Sequence, residues 1–208
     1  MKKRLRQFWI EWANPLSIYL VLMCAVRSAV ADWNDVPSGS MKPTILEGDR
    51  VVINKLAYDL KVPFTTWHLA EWGNPRRGDI VVFFSPADGK RLVKRVIGLP
   101  GDRLTMRDNQ LWVNDGPLAY EPLEQSVIDQ IAKSDQPNHQ FAAERLPGKR
   151  HAVMVTPSLE ARRTFELTVV PSGHYFMMGD NRDNSFDSRF YGPVAREQIV
   201  GRAVGVAF

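Results

Sequence analysis

The 208 residues suffice for one domain of ordinary size, and 44% hydrophobic with 24% charged residues excludes a disordered chain. Net charge is +4, but Lys2, Lys3, Arg4 and Arg6 gather the excess at one end. That placement disfavours a nucleic-acid surface and fits a cytoplasmic flank obeying the positive-inside rule.

Residues 12–26 carry no charge and are closed by Glu11 and Arg27. The run falls short of a hydrocarbon layer of roughly 30 Å, but extension through Ala29, Val30 and Ala31 reaches the required ~20 residues if Arg27 snorkels. Phe8, Trp9, Trp12 and Trp33 bracket it like interfacial aromatics. The pattern predicts one transmembrane anchor over 8–31, with the N-terminus cytoplasmic and the remainder exported. The lone cysteine, Cys24, lies within it, cannot form an intrachain disulfide, and reads as a small apolar side chain. A cleavable signal peptide ending at Ala29-Val30-Ala31 is the rival reading. Arg27 in the cleavage region and the short remnant before Ser38 count against it. A buried soluble helix is the third.

Beyond residue 36 the pattern is mostly strand. Runs at 50–53 and 80–84 are β-branched or aromatic and follow the turns Gly48-Asp49 and Gly78-Asp79. Residues 103–107 and 110–113 flank Asp108-Asn109 as a hairpin, closed by Asn114-Asp115-Gly116. Further strands are expected at 152–156, 164–170, 175–178 and 199–207, with weak helical spacing only at 122–133. The aromatics of 58–72, with Trp67 and Trp72, read either as core or as an exposed edge at a membrane interface. The polar stretch 121–149 looks like an insertion or small second lobe. The whole predicts a mainly β domain, a barrel or folded sheet.

Chemistry concentrates in three places. Pro37-Ser38-Gly39-Ser40-Met41 sets two serines just outside the apolar segment. In a strand through 92–97, Lys94 shares its face with Leu92 and Val96. Desolvation there lowers a lysine pKa, and a neutral amine can take a serine's proton. These are the parts of a Ser–Lys hydrolase at a bilayer surface. No Gly-x-Ser-x-Gly elbow is present, and His68, His139, His151 and His174 fit no triad; each reads as a loop or surface histidine. The polar run 179–189 lacks the glycine and closing glutamate of a calcium loop, and two arginines interrupt it, leaving a solvated loop or a salt-bridge network.

Together these blocks resemble the bacterial type I signal peptidases. The resemblance rests on the anchor, 37–44, Gly48-Asp49, 77–83, 94–102 and 179–189, in that order. It implies a folded β catalytic domain with a small inserted lobe behind one transmembrane helix. Ser40 would be the nucleophile and Lys94 the general base. Ser38 would stabilise the oxyanion, and Ser185 would orient the Lys94 amine. Val36, Pro37, Met41, Ile45, Leu92 and Val93 would line pockets for small residues. Arg95, Asp180, Arg182, Asp187 and Arg189 would form a structural network.

The expected organisation is a basic tail at 1–7, the anchor at 8–31 and a catalytic domain at 36–208, its lobe at about 115–165. The expected partners are signal peptides of exported preproteins and the phospholipid bilayer, for a monomer of the cytoplasmic membrane without nucleic acid, cofactor or metal. A specialised maturation peptidase, a self-cleaving Ser–Lys protein and an inactive binding domain are the competing functions.

Overall fold

The computed structural model describes residues 11, 14–62, 65 and 67–207. The basic tail, Phe8, Trp9 and Trp12 lie outside the described residues. Helix α1 (Asn14–Ala29) carries Leu16, Ile18, Tyr19, Leu20, Val21, Leu22 and Met23, all exposed. With 16 residues it is a helix apolar on several sides, and most of its large side chains are exposed. Among the described residues no helix is long and apolar enough to cross a membrane.

Sixteen strands follow among the described residues. The first eight are β1 (Ala31–Asp35), β2 (Arg50–Asn54), β3 (Asp59–Lys61), β4 (His68–Glu71), β5 (Ile80–Phe84), β6 (Arg91–Gly98), β7 (Arg103–Arg107) and β8 (Gln110–Val113). Then come β9 (Gly116–Pro117), β10 (Ala119–Glu121), the helical turn α2 (Gln125–Ile128), β11 (Gln140–Leu146), β12 (Lys149–Val155), β13 (Phe165–Val169) and β14 (His174–Met178). A second turn, α3 (Ser188–Tyr191), precedes β15 (Val194–Ala195) and β16 (Ile199–Ala207).

The fold is mainly β. Seven strands form the principal sheet in the order β1-β2-β16-β5-β6-β14-β15, every pair antiparallel. Register shifts interrupt β16 against both neighbours, and such bulges bend a strand. Smaller sheets β10-β11-β12 and β13-β7-β8-β9 come from residues between β6 and β14. The β7–β8 hairpin closes as its sequence requires: Asp108 and Asn109 both take positive φ, 49° and 64°, the type I′ geometry that matches strand twist.

Strand β6 is the spine. Leu92 and Val96 pack with Val81, Phe83 and Met177, while Val93 packs with Val36, Met41, Ile45 and Val82. Ile97 joins a third cluster with Leu104, Met106, Leu111 and Phe176. A strand buried on both sides is anchored by each fully covered apolar side chain, worth about 1.5–3 kcal/mol apiece. Its two charged members, Lys94 and Arg95, are therefore held in place by their neighbours.

The structure sharpens three readings. The helical spacing at 122–133 yields a single turn, Gln125–Ile128. The polar stretch contains β11, whose charged Glu144 is fully buried. Of the two readings of the aromatic stretch, exposure holds for Trp67, Leu69 and Trp72, at 74%, 63% and 56%, and Trp33 is likewise 50% exposed.

Candidate active site

Ser40 sits in a one-turn 3-10 helix, Gly39–Met41, with Ser38 at its N-cap position. Asn181 fixes this turn twice. Its side-chain amide donates to the Gly39 carbonyl at 3.0 Å, and its backbone N–H donates to the Ser40 carbonyl at 3.1 Å. Gly179 presses against the same place: a Cβ there would collide with the Ser185 hydroxyl and lie 2.5 Å from the Ser40 carbonyl oxygen. Any side chain at 179 would displace the turn that carries Ser40.

Lys94 reaches the turn from β6, where it stands opposite Val81. Its Nζ lies 2.5 Å from Ser40 Oγ, and both residues are buried. Burial pushes the Lys94 amine down from 10.5 to about 8. Asp187 and Asp180 oppose that shift without cancelling it, and Arg189 adds to it. Ser38 Oγ donates to Ser40 Oγ at 3.4 Å. Ser185 Oγ is buried but meets no partner at ordinary hydrogen-bond geometry, Lys94 included. It lies near Asp187, where it helps keep that carboxylate charged.

The polar run folds into paired charges rather than a solvated loop. Arg95 binds Asp180 through two bonds, at 2.8 and 2.6 Å, and also donates to the Gly78 carbonyl at 2.9 Å. Burial pushes Asp180 up, yet Arg95 outweighs it and holds the carboxyl below its usual range. Arg189 grips Asp187 at 2.8 and 2.9 Å, and Asp187 in turn accepts the Gly179 N–H at 3.0 Å. Arg182 forks onto Glu144 at 2.8 and 2.7 Å, both side chains being buried. Planar bidentate pairs of this kind fix direction as well as distance. They clamp 179–189 around Ser40 and Lys94.

A family profile described as "Signal peptidase, peptidase S26" matches residues 9–208. The chain belongs to that family. Signal peptidase I of Pseudomonas fluorescens is 36% identical over 214 residues, covering 95% of this chain and 72% of the relative. Signal peptidase I of Pseudomonas aeruginosa is 35% identical over 212 residues with the same coverage. Signal peptidase I V of Bacillus subtilis is 36% identical over 201 residues, covering 97% of this chain and 96% of that one. As a peptidase of family S26, the chain is a serine endopeptidase.

Within this S26 peptidase the expected pocket residues divide. Val36, Met41, Ile45 and Val93 share one cluster, Leu92 packs in another, and Pro37 is exposed. Among the described residues no three His, Cys, Asp or Glu side chains gather as metal ligands. Sequence reasoning missed Asn181, Tyr120 and Glu144. Tyr120 Oη donates to Glu144 Oε2 at 2.7 Å, so one buried carboxylate serves a tyrosine and an arginine on separate segments. Nothing in the pattern around Gln140–Leu146 marks such a burial.

His151 corrects the reading of the histidines as loop or surface groups. It is buried on β12 opposite Glu144, with Nε2 3.4 Å from Glu144 Oε1 and 3.8 Å from Asp180 Oδ1. Burial pushes its pKa down to about 4 despite those carboxylates. The unfolded chain therefore binds a proton that the native one refuses between pH 6.5 and about 4. Stability should be complete above 6.5 and fall by roughly 3 kcal/mol across that window. Urea titrations of wild type and His151→Leu from pH 7 to 4 check this: the variant should lose much of the acid sensitivity.

Proposed function

We propose that this peptidase removes N-terminal signal peptides from exported preproteins, with Ser40 as nucleophile and Lys94 as general base. The observation that carries the reading is the 2.5 Å approach of a desolvated amine, lowered to about 8, to the Ser40 hydroxyl. A fair fraction of that amine is neutral near pH 7–8, where it can accept the hydroxyl proton.

Ser40 Oγ attacks the carbonyl of the residue before the cut as its proton moves to Lys94 Nζ. The Ser38 hydroxyl and the Ser40 N–H stabilise the oxyanion. The Lys94 ammonium then protonates the departing amine, and its regenerated free base activates the water that hydrolyses the acyl-enzyme. Ser185 orients the Lys94 amine, and the Arg95, Asp180, Arg182, Asp187 and Arg189 network keeps the pair in register. Small apolar pockets at Val36, Pro37, Met41, Ile45, Leu92 and Val93 admit alanine at the two recognised positions, with the substrate backbone added as an edge strand.

Residues 8–31 anchor the chain in the cytoplasmic membrane, and 36–208 form the exported catalytic domain with a smaller lobe near 115–165. Support comes from the exposed apolar surface of α1, from Trp33 and Trp67 near its end, and from the exposed Trp72. The protein works as a monomer on preproteins at the bilayer surface.

Incubation of the detergent-solubilised protein with an Ala-x-Ala precursor tests the function. The mature chain should appear, cut after the second alanine, and bulky residues at either recognised position should stop it. Ser38→Ala removes one oxyanion donor, for which about 2.7–4 kcal/mol is typical, so kcat should fall about 10²–10³-fold with KM little changed. An unaltered kcat in that variant contradicts the role given to Ser38.

A further inference from the structure

A cavity of about 570 Å³ opens where the end of α1 meets the main sheet, among Ser28, Lys55, Lys61, Trp67, Phe84 and Arg91. Cations outnumber carboxylates in its lining, although Lys55 and Lys61 also donate to the backbone carbonyls of Arg27, Ser28 and Ile199. Asp32 is shared by three cations, with Arg27 Nε, Lys55 Nζ and Arg91 Nη1 each at 3.3 Å. Lys61 Nζ is 3.8 Å from Asp59, a carboxylate already bound by Arg196 at 2.6 Å. Among the described residues that line it Glu197 is the sole carboxylate. The mouth is apolar: Trp67 is 74% and Phe84 38% exposed. A neighbouring hollow shares Ser28, Lys55 and Arg91, and there the Arg27 guanidinium lies 4.3 Å over the Trp33 ring.

The occupant that meets both demands is an anionic, hydrogen-bond-accepting group joined to hydrocarbon. Position narrows it further. The cavity begins at the last turn of α1, the helix assigned above to the bilayer, and so stands at the depth of lipid phosphates. Arg91 begins the strand that carries Lys94 three residues on, about 10 Å away.

We infer that this cavity binds the phosphodiester headgroup of an anionic phospholipid. Lys61 and Arg91 contact the phosphate, Lys55 adds its charge beside them while its own donors go to Arg27, Ser28 and Asp32, and Trp67 and Phe84 lie against the acyl chains. The occupied cavity fixes the start of β6 at the membrane surface. The inference rests on the membrane placement of α1 and is independent of the Ser40–Lys94 chemistry.

Native mass spectrometry of the full chain in neutral detergent, with phosphatidylglycerol and phosphatidylcholine offered together, tests it. Wild type should retain phosphatidylglycerol preferentially. Lys61→Gln combined with Arg91→Gln should weaken that retention about thirtyfold, while Lys90→Gln should not. Trp67→Ser, which removes no ion pair, should weaken it several-fold and serves if thermal melting shows the double variant unfolded. Equal retention of the two lipids by wild type, or unchanged retention in the variants, overturns the inference. Displacement of phosphatidylglycerol by millimolar inorganic phosphate overturns it in favour of a free-phosphate site. Alkaline-carbonate extraction of native membranes reports on the anchor separately: a released protein that still prefers phosphatidylglycerol in detergent would sink the anchor alone.

Discussion

Lys94→Met should abolish precursor cleavage while raising the melting temperature at neutral pH. Removing one member of a nucleophile–base pair lowers turnover on the order of a million-fold, and Ser40→Ala should match it, since neither residue works without the other. The stability change has the opposite sign. The native amine titrates near 8 against 10.5 for the ordinary group, so the unfolded chain binds more protons between those values. Stability therefore rises with pH across that window, and at pH 7 the protein carries the full cost of burying an ammonium, roughly 3 kcal/mol. Methionine removes that net cost, in which the attraction to Asp187 and Asp180 is already counted, but it loses the hydrogen bond to Ser40, leaving a gain of about 1–3 kcal/mol. Calorimetry beside a precursor assay checks both halves. A Lys94→Met protein that is inactive because it is less stable would contradict the account.

Glu144→Ala should be the most damaging substitution away from the reacting atoms. It strands the Arg182 guanidinium in the interior and removes the acceptor of Tyr120 Oη. Breaking one side of a buried ion pair typically costs about 3–5 kcal/mol, because an uncompensated charge is left behind. For a chain of this size that corresponds to a fall in Tm of about 6–20 °C. The double change Glu144→Leu with Arg182→Met should recover most of the loss, since a matched apolar pair carries no such penalty. Its cleavage rate should stay low, because 179–189 loses the clamp that positions Ser40 and Lys94. Recovery of stability together with full turnover would show that the network supports the fold only.

The strands were legible where one chemical rule governed them. Asp108-Asn109 between two apolar runs specified a type I′ turn, and the structure has it. Ile80–Phe84 read as a strand because its apolar run is continuous, and 92–97 because apolar, mostly β-branched residues flank its two charges on both sides. Strand β11 was hidden for the reverse reason: Glu144 and Arg145 make it look like surface, and the partners that allow Glu144 inside lie 24 and 38 residues away. The same distance effect explains Asn181 and His151. Strand β1 was obscured by its place beside the apolar segment, where Trp33 reads as an interfacial residue whether or not Ala31–Asp35 pairs with β2. Of the chemistry, an amine on an apolar strand was visible from alternation alone, whereas its 2.5 Å approach to Ser40 depends on Asn181, Gly179 and the turn they hold.

The central claim is that the Lys94 amine titrates near 8 beside Ser40, so that a working fraction of it is uncharged close to neutral pH. Nitrogen-15 titration of the Lys94 Nζ resonance in the intact, detergent-solubilised protein measures this without turnover. A midpoint near 8, matched by the rising limb of kcat/KM against pH, is the expected result. An amine that stays protonated through pH 10 while cleavage proceeds at pH 7 would contradict it.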